Sequence, residues 1–173
     1  MAVEHAMEVF WRKGYAATTP QDLVDTLGIG SRHALFEAAL SRYRDSQAAA
    51  LIEMLEEPGS VKDRLRRALR LLSETDLADP DRRGCIAVNT AAERGQADES
   101  AARLVRRMFD RTKDAFCALV EEGRRTGEIA AGRDARAAGS LLPNTVVGMR
   151  LLARVADGPD RLTRVVDAVV DSL

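Results

Sequence analysis

Thr18 and Thr19 stand directly before Pro20, and Arg32 and His33 stand at the start of a later helical run. Two hydroxyls at a helix start, with the free N–H groups of its first turn, suit an anion and above all a phosphate oxygen. Tyr15 can add a phenolic hydroxyl to the same task. Arg32 brings a fixed positive charge, and His33 a second donor beside it. The plain alternative for the threonines is an N-cap, which needs no ligand. Both uses can hold at once.

The other reactive side chains are sparse. Cys85 follows Arg82, Arg83 and Gly84 at a predicted helix start. Cations and a helix N-terminus are the setting in which thiols become reactive, although a free cysteine more often serves as a small buried hydrophobe. Cys85 and Cys117 are too few for a disulfide framework or a zinc site. His5 and His33 lie far apart, with no clustered acid or thiol, so no metal site is expected. No nucleophile–base pair and no phosphate loop is visible. The sequence therefore predicts no catalytic residues, no enzyme activity and no cofactor.

These groups must be positioned by helices. The chain has 173 residues, of which 46% are hydrophobic and 4% aromatic. That length fits one large domain or two small ones. Ala, Leu and Arg dominate, and they lose little rotamer freedom in a helix. Apolar residues recur at helical spacing throughout, so the predicted class is all-α. Eight helical runs are legible. Val3, Ala6, Met7 and Phe10 share a face that ends at Gly14. Thr19-Pro20 opens a short run, as threonine cap and first-turn proline. Ser31 opens a rod of more than twenty residues, which ends near Pro58-Gly59. Ser60 caps the next run. Residues 85–92 form a short apolar one. Asp98 or Ser100 opens a long amphipathic one. Residues 135–156 follow, with Pro143 inside as an expected kink. A valine-rich run closes the chain.

Net charge is −1, which gives no push toward nucleic acid. Within residues 1–47, Arg12, Lys13, Arg32, Arg42 and Arg44 are outweighed by Glu4, Glu8, Asp22, Asp25, Glu37 and Asp45. That is a poor footprint for a nucleic-acid binder, although phosphate contacts need only a local cluster. No apolar run reaches membrane-spanning length. No secretory signal is visible, so no membrane and a reducing cytoplasm are the expectations.

Residues 6–43 resemble the DNA-binding head of the TetR (tetracycline-repressor-like) transcriptional regulators. Ala6, Val9 and Phe10 match the first helix, and Gly14 and Tyr15 its glycine–aromatic turn. Thr18 and Thr19 match the pair opening helix two. Leu23, Val24, Leu27, Gly28 and Ile29 match its core and the tight turn. Ser31, Arg32, Leu35 and Phe36 match the entry into helix four. The resemblance implies a helix-turn-helix head at 1–45 and a helical effector-binding and dimerisation body at 46–173. It implies a ligand-responsive repressor, binding a palindromic double-stranded operator as a homodimer, with DNA contacts from Tyr15, Thr18, Thr19, Arg32 and His33. One departure stands out. The family's recognition helix, about ten residues with its turn, is missing between Gly30 and Ser31. Either that segment is absent from the sequence in hand, or the deletion is real. A real deletion leaves an alternative: a helical ligand-binding or scaffold dimer that has lost DNA binding.

In the body, polar residues inside apolar stretches suggest a small-molecule site. The candidate lining is Cys85, Asn89, Phe109, Phe116, Leu142, Thr145 and Met149, against the alternative of ordinary core. The last two helices carry more apolar surface than one face needs. Leu141, Val146 and Val147, with Val165, Val166, Val169 and Val170, are the expected contact between two subunits. Operator, effector and sign of regulation are not legible.

Overall fold

The computed structural model describes residues 2–26, 30–132 and 134–173. Its elements are α1 (Ala2–Lys13), a 3-10 segment (Gln21–Thr26), α2 (Arg32–Glu56), α3 (Val61–Ala78), α4 (Ile86–Arg94), α5 (Glu99–Thr126), α6 (Ala135–Ala153) and α7 (Asp160–Asp171). No strand occurs among the described residues.

The predicted starts hold because each is a local hydrogen bond. Ser31 Oγ accepts from the Ala34 N–H at 3.2 Å. Ser60 and Asp63 cap each other reciprocally, with the Asp63 N–H donating to Ser60 Oγ at 3.1 Å. The Asp98 carboxylate accepts from the Ala101 N–H at 3.0 Å. Each satisfies a donor that the helix cannot pair itself.

The second element differs from expectation. Residues 21–26 form a 3-10 segment rather than an α-helix, with Leu23 at φ −108° and ψ 15°. The N–H groups of Asp22 and Leu23 donate three residues back, to the carbonyls of Thr19 and Pro20, both at 3.1 Å. The Asp22 carboxylate takes the Thr19 N–H and hydroxyl at 2.8 Å each and tightens that turn. Leu27, Gly28 and Ile29, matched above to the tight turn, lie outside the described residues. Only residues 27–31 separate this segment from α2.

Two apolar clusters form the interior. The first joins Ala6 and Phe10 of α1 to Leu35, Phe36, Leu40 and Tyr43 of α2, and to Ile86, Val88 and Val105. The second joins Leu65 and Leu69 of α3 to Phe116, Leu142, Leu162 and Val166. The boundary expected at residue 45 therefore falls inside the continuous α2, and the head shares its core with α4 and α5. Helices α5 and α6 approach closely at Gly139. A Cβ there would stand 2.0 Å from Cys117 Sγ. Pro143, four residues on, removes the α6 hydrogen bond to the Gly139 carbonyl.

Candidate functional site

A cavity of about 130 Å³ opens where the two clusters meet. Leu51 and Met54 of α2, Val88 of α4, Met108, Phe109 and Phe116 of α5, and Pro143, Val146 and Val147 of α6 give it apolar walls. Its polar lining includes Tyr43, Gln47, Thr112 and Arg150.

Arg150 is the organising group. Its side chain is 10% exposed, and its fork grips Asp76 through Nε at 2.9 Å and Nη2 at 2.8 Å. A buried guanidinium without a carboxylate would be costly, so this pair is a condition of the fold. Burial alone would lower the Arg150 pKa. Tyr43, Cys85 and Asp76 outweigh that and hold it above the ordinary guanidinium value. Burial, then Cys85, pushes the Tyr43 phenol well above its usual range. The remaining nitrogen, Nη1, has only long contacts to Tyr43 Oη and Gln47 Oε1, each 3.4 Å.

The floor of the cavity touches the head. Arg150 Nη2 reaches the Gly84 carbonyl at 3.5 Å, and Trp11 Nε1 of α1 donates to that same oxygen at 2.9 Å. Gly84 has φ +64°, and a Cβ there would meet the Arg150 carbonyl at 3.1 Å. Both facts call for glycine. The Trp11 ring packs edge-on against Tyr43, centroids 5.0 Å apart, beneath the Arg83 guanidinium at 4.4 Å. Arg83 also pairs with Glu8 of α1 and Asp79.

The phosphate candidates fare unevenly. Thr18 is buried, and its hydroxyl donates to the Gly14 carbonyl at 2.6 Å. Arg32 donates to the Thr18 carbonyl at 2.9 Å and lies over the Tyr15 ring at 4.3 Å. Arg94 lies over the same ring at 4.4 Å. Thr18 is thus turned inward, while Arg32 stays exposed with its guanidinium engaged. His33 sits 3.6 Å from both Glu37 and Asp98. Thr19 stays exposed but shares Asp22 with Lys13. Glu93 fixes the turn before them, accepting from the N–H groups of Tyr15 at 2.9 Å and Ala16 at 2.6 Å.

The family described as "Tetracyclin repressor-like, C-terminal domain" matches residues 75–169. The chain belongs to the TetR family. It is similar to the HTH-type transcriptional regulator YezE of Bacillus subtilis, 31% identical across 100% of this chain and 94% of that protein. It is also similar to the HTH-type transcriptional repressor ComR of Escherichia coli, 26% identical across 95% of this chain and 83% of that one. Among solved structures, the TetR-family regulator CifR, a cysteine mutant complexed with operator DNA, superposes with a TM-score of 0.87. It is 22% identical, covering 99% of this chain and 94% of that one. The YezE match runs over 184 positions against 173 residues here, so YezE carries residues with no counterpart in this chain.

Within this TetR-family fold, three of the expected effector residues line the cavity: Cys85, Phe109 and Phe116. Asn89 does not. Its amide donates to the Arg83 carbonyl at 2.9 Å and accepts from Arg154 at 3.0 Å. Leu142 and Met149 are buried in the second cluster, and the Thr145 hydroxyl donates to the Leu141 carbonyl. Helix α6 presents Pro143, Val146, Val147 and Arg150 to the cavity instead, a face rotated by one residue from the expected one. Val146 and Val147, expected at a contact between subunits, line this cavity and are half-buried. Val166, Val169 and Val170 are buried in the protomer's own core, with Val165 packed against it. Their stripe is used up against α3, through which Arg66 and Arg70 reach Asp167 at 3.3 and 2.7 Å. Leu141 alone of the expected contact residues is strongly exposed, at 47%. Sequence reasoning missed Tyr43, Gln47 and Arg150. For Arg150 the signal was a single cation in the apolar run VVGMRLLA.

Proposed function

We propose that this chain is a ligand-responsive transcriptional regulator, a repressor acting as a homodimer on a palindromic operator in the cytoplasm. The observation that carries the reading is the shared Gly84 carbonyl. It joins the cavity of about 130 Å³ to the first helix of the head. A ligand that fits the cavity differently in two head positions would shift the balance between them. Regulation rather than catalysis is the role this supports. Among the described residues no group of His, Cys, Asp or Glu could hold a metal ion, and no helix is long and apolar enough to cross a membrane.

Dimerisation rests on α6. Leu141 and Leu151 share an exposed face with Gly148, and Val155 continues it at 79% exposure. Nothing lies within 4 Å of a Cβ built on Gly148, so a second helix could approach closely there. Tyr15, Thr19 and His33, with Thr18 and Arg32 in support, form the head's phosphate-facing surface. Anisotropy of a labelled duplex from upstream of the chain's own gene, against a scrambled duplex, tests the reading. Preferential binding is expected.

The direct junction of Gly30 to Ser31 favours a second reading. Residues 27–31 are too few for a recognition helix of about ten residues with its turn, and the longer YezE match is consistent with such a loss. The chain would then be a ligand-binding dimer that no longer reads base sequence. Equal, weak binding to both duplexes would select it.

A further inference from the structure

The cavity carries a charge signature. Three arginines line it, Arg44, Arg111 and Arg150, and no aspartate or glutamate does. The carboxylates that balance two of them stand outside the lining. Asp45 holds Arg44 at 2.8 Å, and Asp76 holds Arg150 from behind. Arg111 is exposed at the rim. At the closed end, Arg150 Nη1 is the group with donor capacity to spare, because contacts of 3.4 Å are weak hydrogen bonds. Gln47 and Tyr43 stand beside it with an amide and a phenol. The Thr112 hydroxyl is already committed to the Met108 carbonyl at 3.0 Å. The other walls are aliphatic, thioether or aromatic, with the Cys85 thiol among them. At about 130 Å³ the space is close to the ~150 Å³ apolar cavity that accepts benzene.

We propose that this cavity binds a small organic monoanion: one carboxylate on an apolar body about the size of a benzene ring. The inference rests on the ligand-responsive reading above. The carboxylate accepts from Arg150 Nη1 and Gln47 at the inner end. The apolar body packs between Met54, Met108, Phe109 and Val146. Arg44 and Arg111 add a positive field at the entrance. An amine of the same shape would be repelled by all three guanidinium groups. A neutral alcohol would gain burial without the charge-assisted bond, which is about twice as strong as a neutral one.

The test is calorimetric titration of the full chain with benzoate, benzyl alcohol and benzylamine at neutral pH. Benzoate is expected to bind at least about tenfold more tightly than benzyl alcohol, and benzylamine not measurably. Arg111→Gln, at an exposed position, should weaken benzoate several-fold and leave benzyl alcohol unchanged. Ala115→Leu, which fills the lining, should weaken both. Benzyl alcohol or benzylamine binding as tightly as benzoate would overturn the anionic class while leaving a ligand cavity in place. Benzoate binding unaffected by Ala115→Leu would overturn the site. Failure of all three probes would overturn the inference and remove the cavity's support for a ligand-responsive regulator.

Discussion

Trp11 and Arg150 donate to the same acceptor, the carbonyl oxygen of Gly84, from opposite ends of the molecule's working parts. Trp11 belongs to α1 of the head, and Arg150 to the cavity floor on α6. In the proposed response, a ligand drawing Arg150 Nη1 toward itself would change how the same guanidinium sits on Gly84, and so load the bond to α1. Trp11→Phe keeps an aromatic edge on Tyr43 and deletes the indole donor. It should cost about 1 kcal/mol, as one net hydrogen bond. Amide exchange in α1 should quicken while α7 stays as protected as before. Unchanged exchange in α1 would mean that the carbonyl is no link.

The Asp76–Arg150 pair should dominate the polar energetics. Asp76→Asn leaves a buried guanidinium facing a neutral amide, and urea unfolding should show a loss of about 3–5 kcal/mol. Asp171→Asn breaks a 2.7 Å pair with Arg66, but that carboxylate is 71% exposed. Its cost should stay within about 1 kcal/mol.

Gly139 tests the α5–α6 contact. Gly139→Ala places a methyl group against Cys117 Sγ and Cβ and should destabilise by about 1–3 kcal/mol. Combining it with Cys117→Ala removes the sulfur and should restore part of the loss. Additive effects in thermal unfolding would contradict the assigned contact.

These energetic features differ in how far they could be read ahead. The caps at Ser31, Ser60 and Asp98 were legible because each depends on residues within three positions. The identity of the inner face of α6 was not. Leu141, Leu142, Val146 and Val147 are all apolar, so the pattern could not choose between neighbouring faces. Likewise the valines of α7 looked like surplus surface, because the partner that consumes them, α3, lies about a hundred residues away. The Asp76–Arg150 and Trp11–Gly84 contacts join residues more than seventy apart. Local spacing carries no trace of them. Residues 6–43 pointed to the family, since that match is a dense local motif.

Strong acid should weaken the head. The Lys13 ammonium and the Thr19 donors hold the Asp22 carboxyl down from the usual 3.8 to about 2. Asp98 is also lowered: burial works against ionisation, and the Ala101 N–H, Arg94 and His33 outweigh it. A carboxyl depressed in the folded state stabilises it above the unfolded pKa, and that help is lost as pH falls through the folded one. The window for Asp22 is about pH 4 down to about 2. Trp11 emission, the signal of the chain's single tryptophan, should report unfolding there. Asp22→Asn should lower stability at pH 7 and flatten the pH dependence between 4 and 2.

This TetR-family chain is a transcriptional regulator that acts on DNA. The most direct measurement is competition anisotropy of the purified protein on the duplex upstream of its own gene, at two salt concentrations. Saturable binding at one dimer per site is expected, at least about tenfold tighter than to a scrambled duplex and weakening steeply as salt rises. Equal affinity for both duplexes, or no retention even at low salt, would contradict it and leave a ligand-binding dimer without base readout.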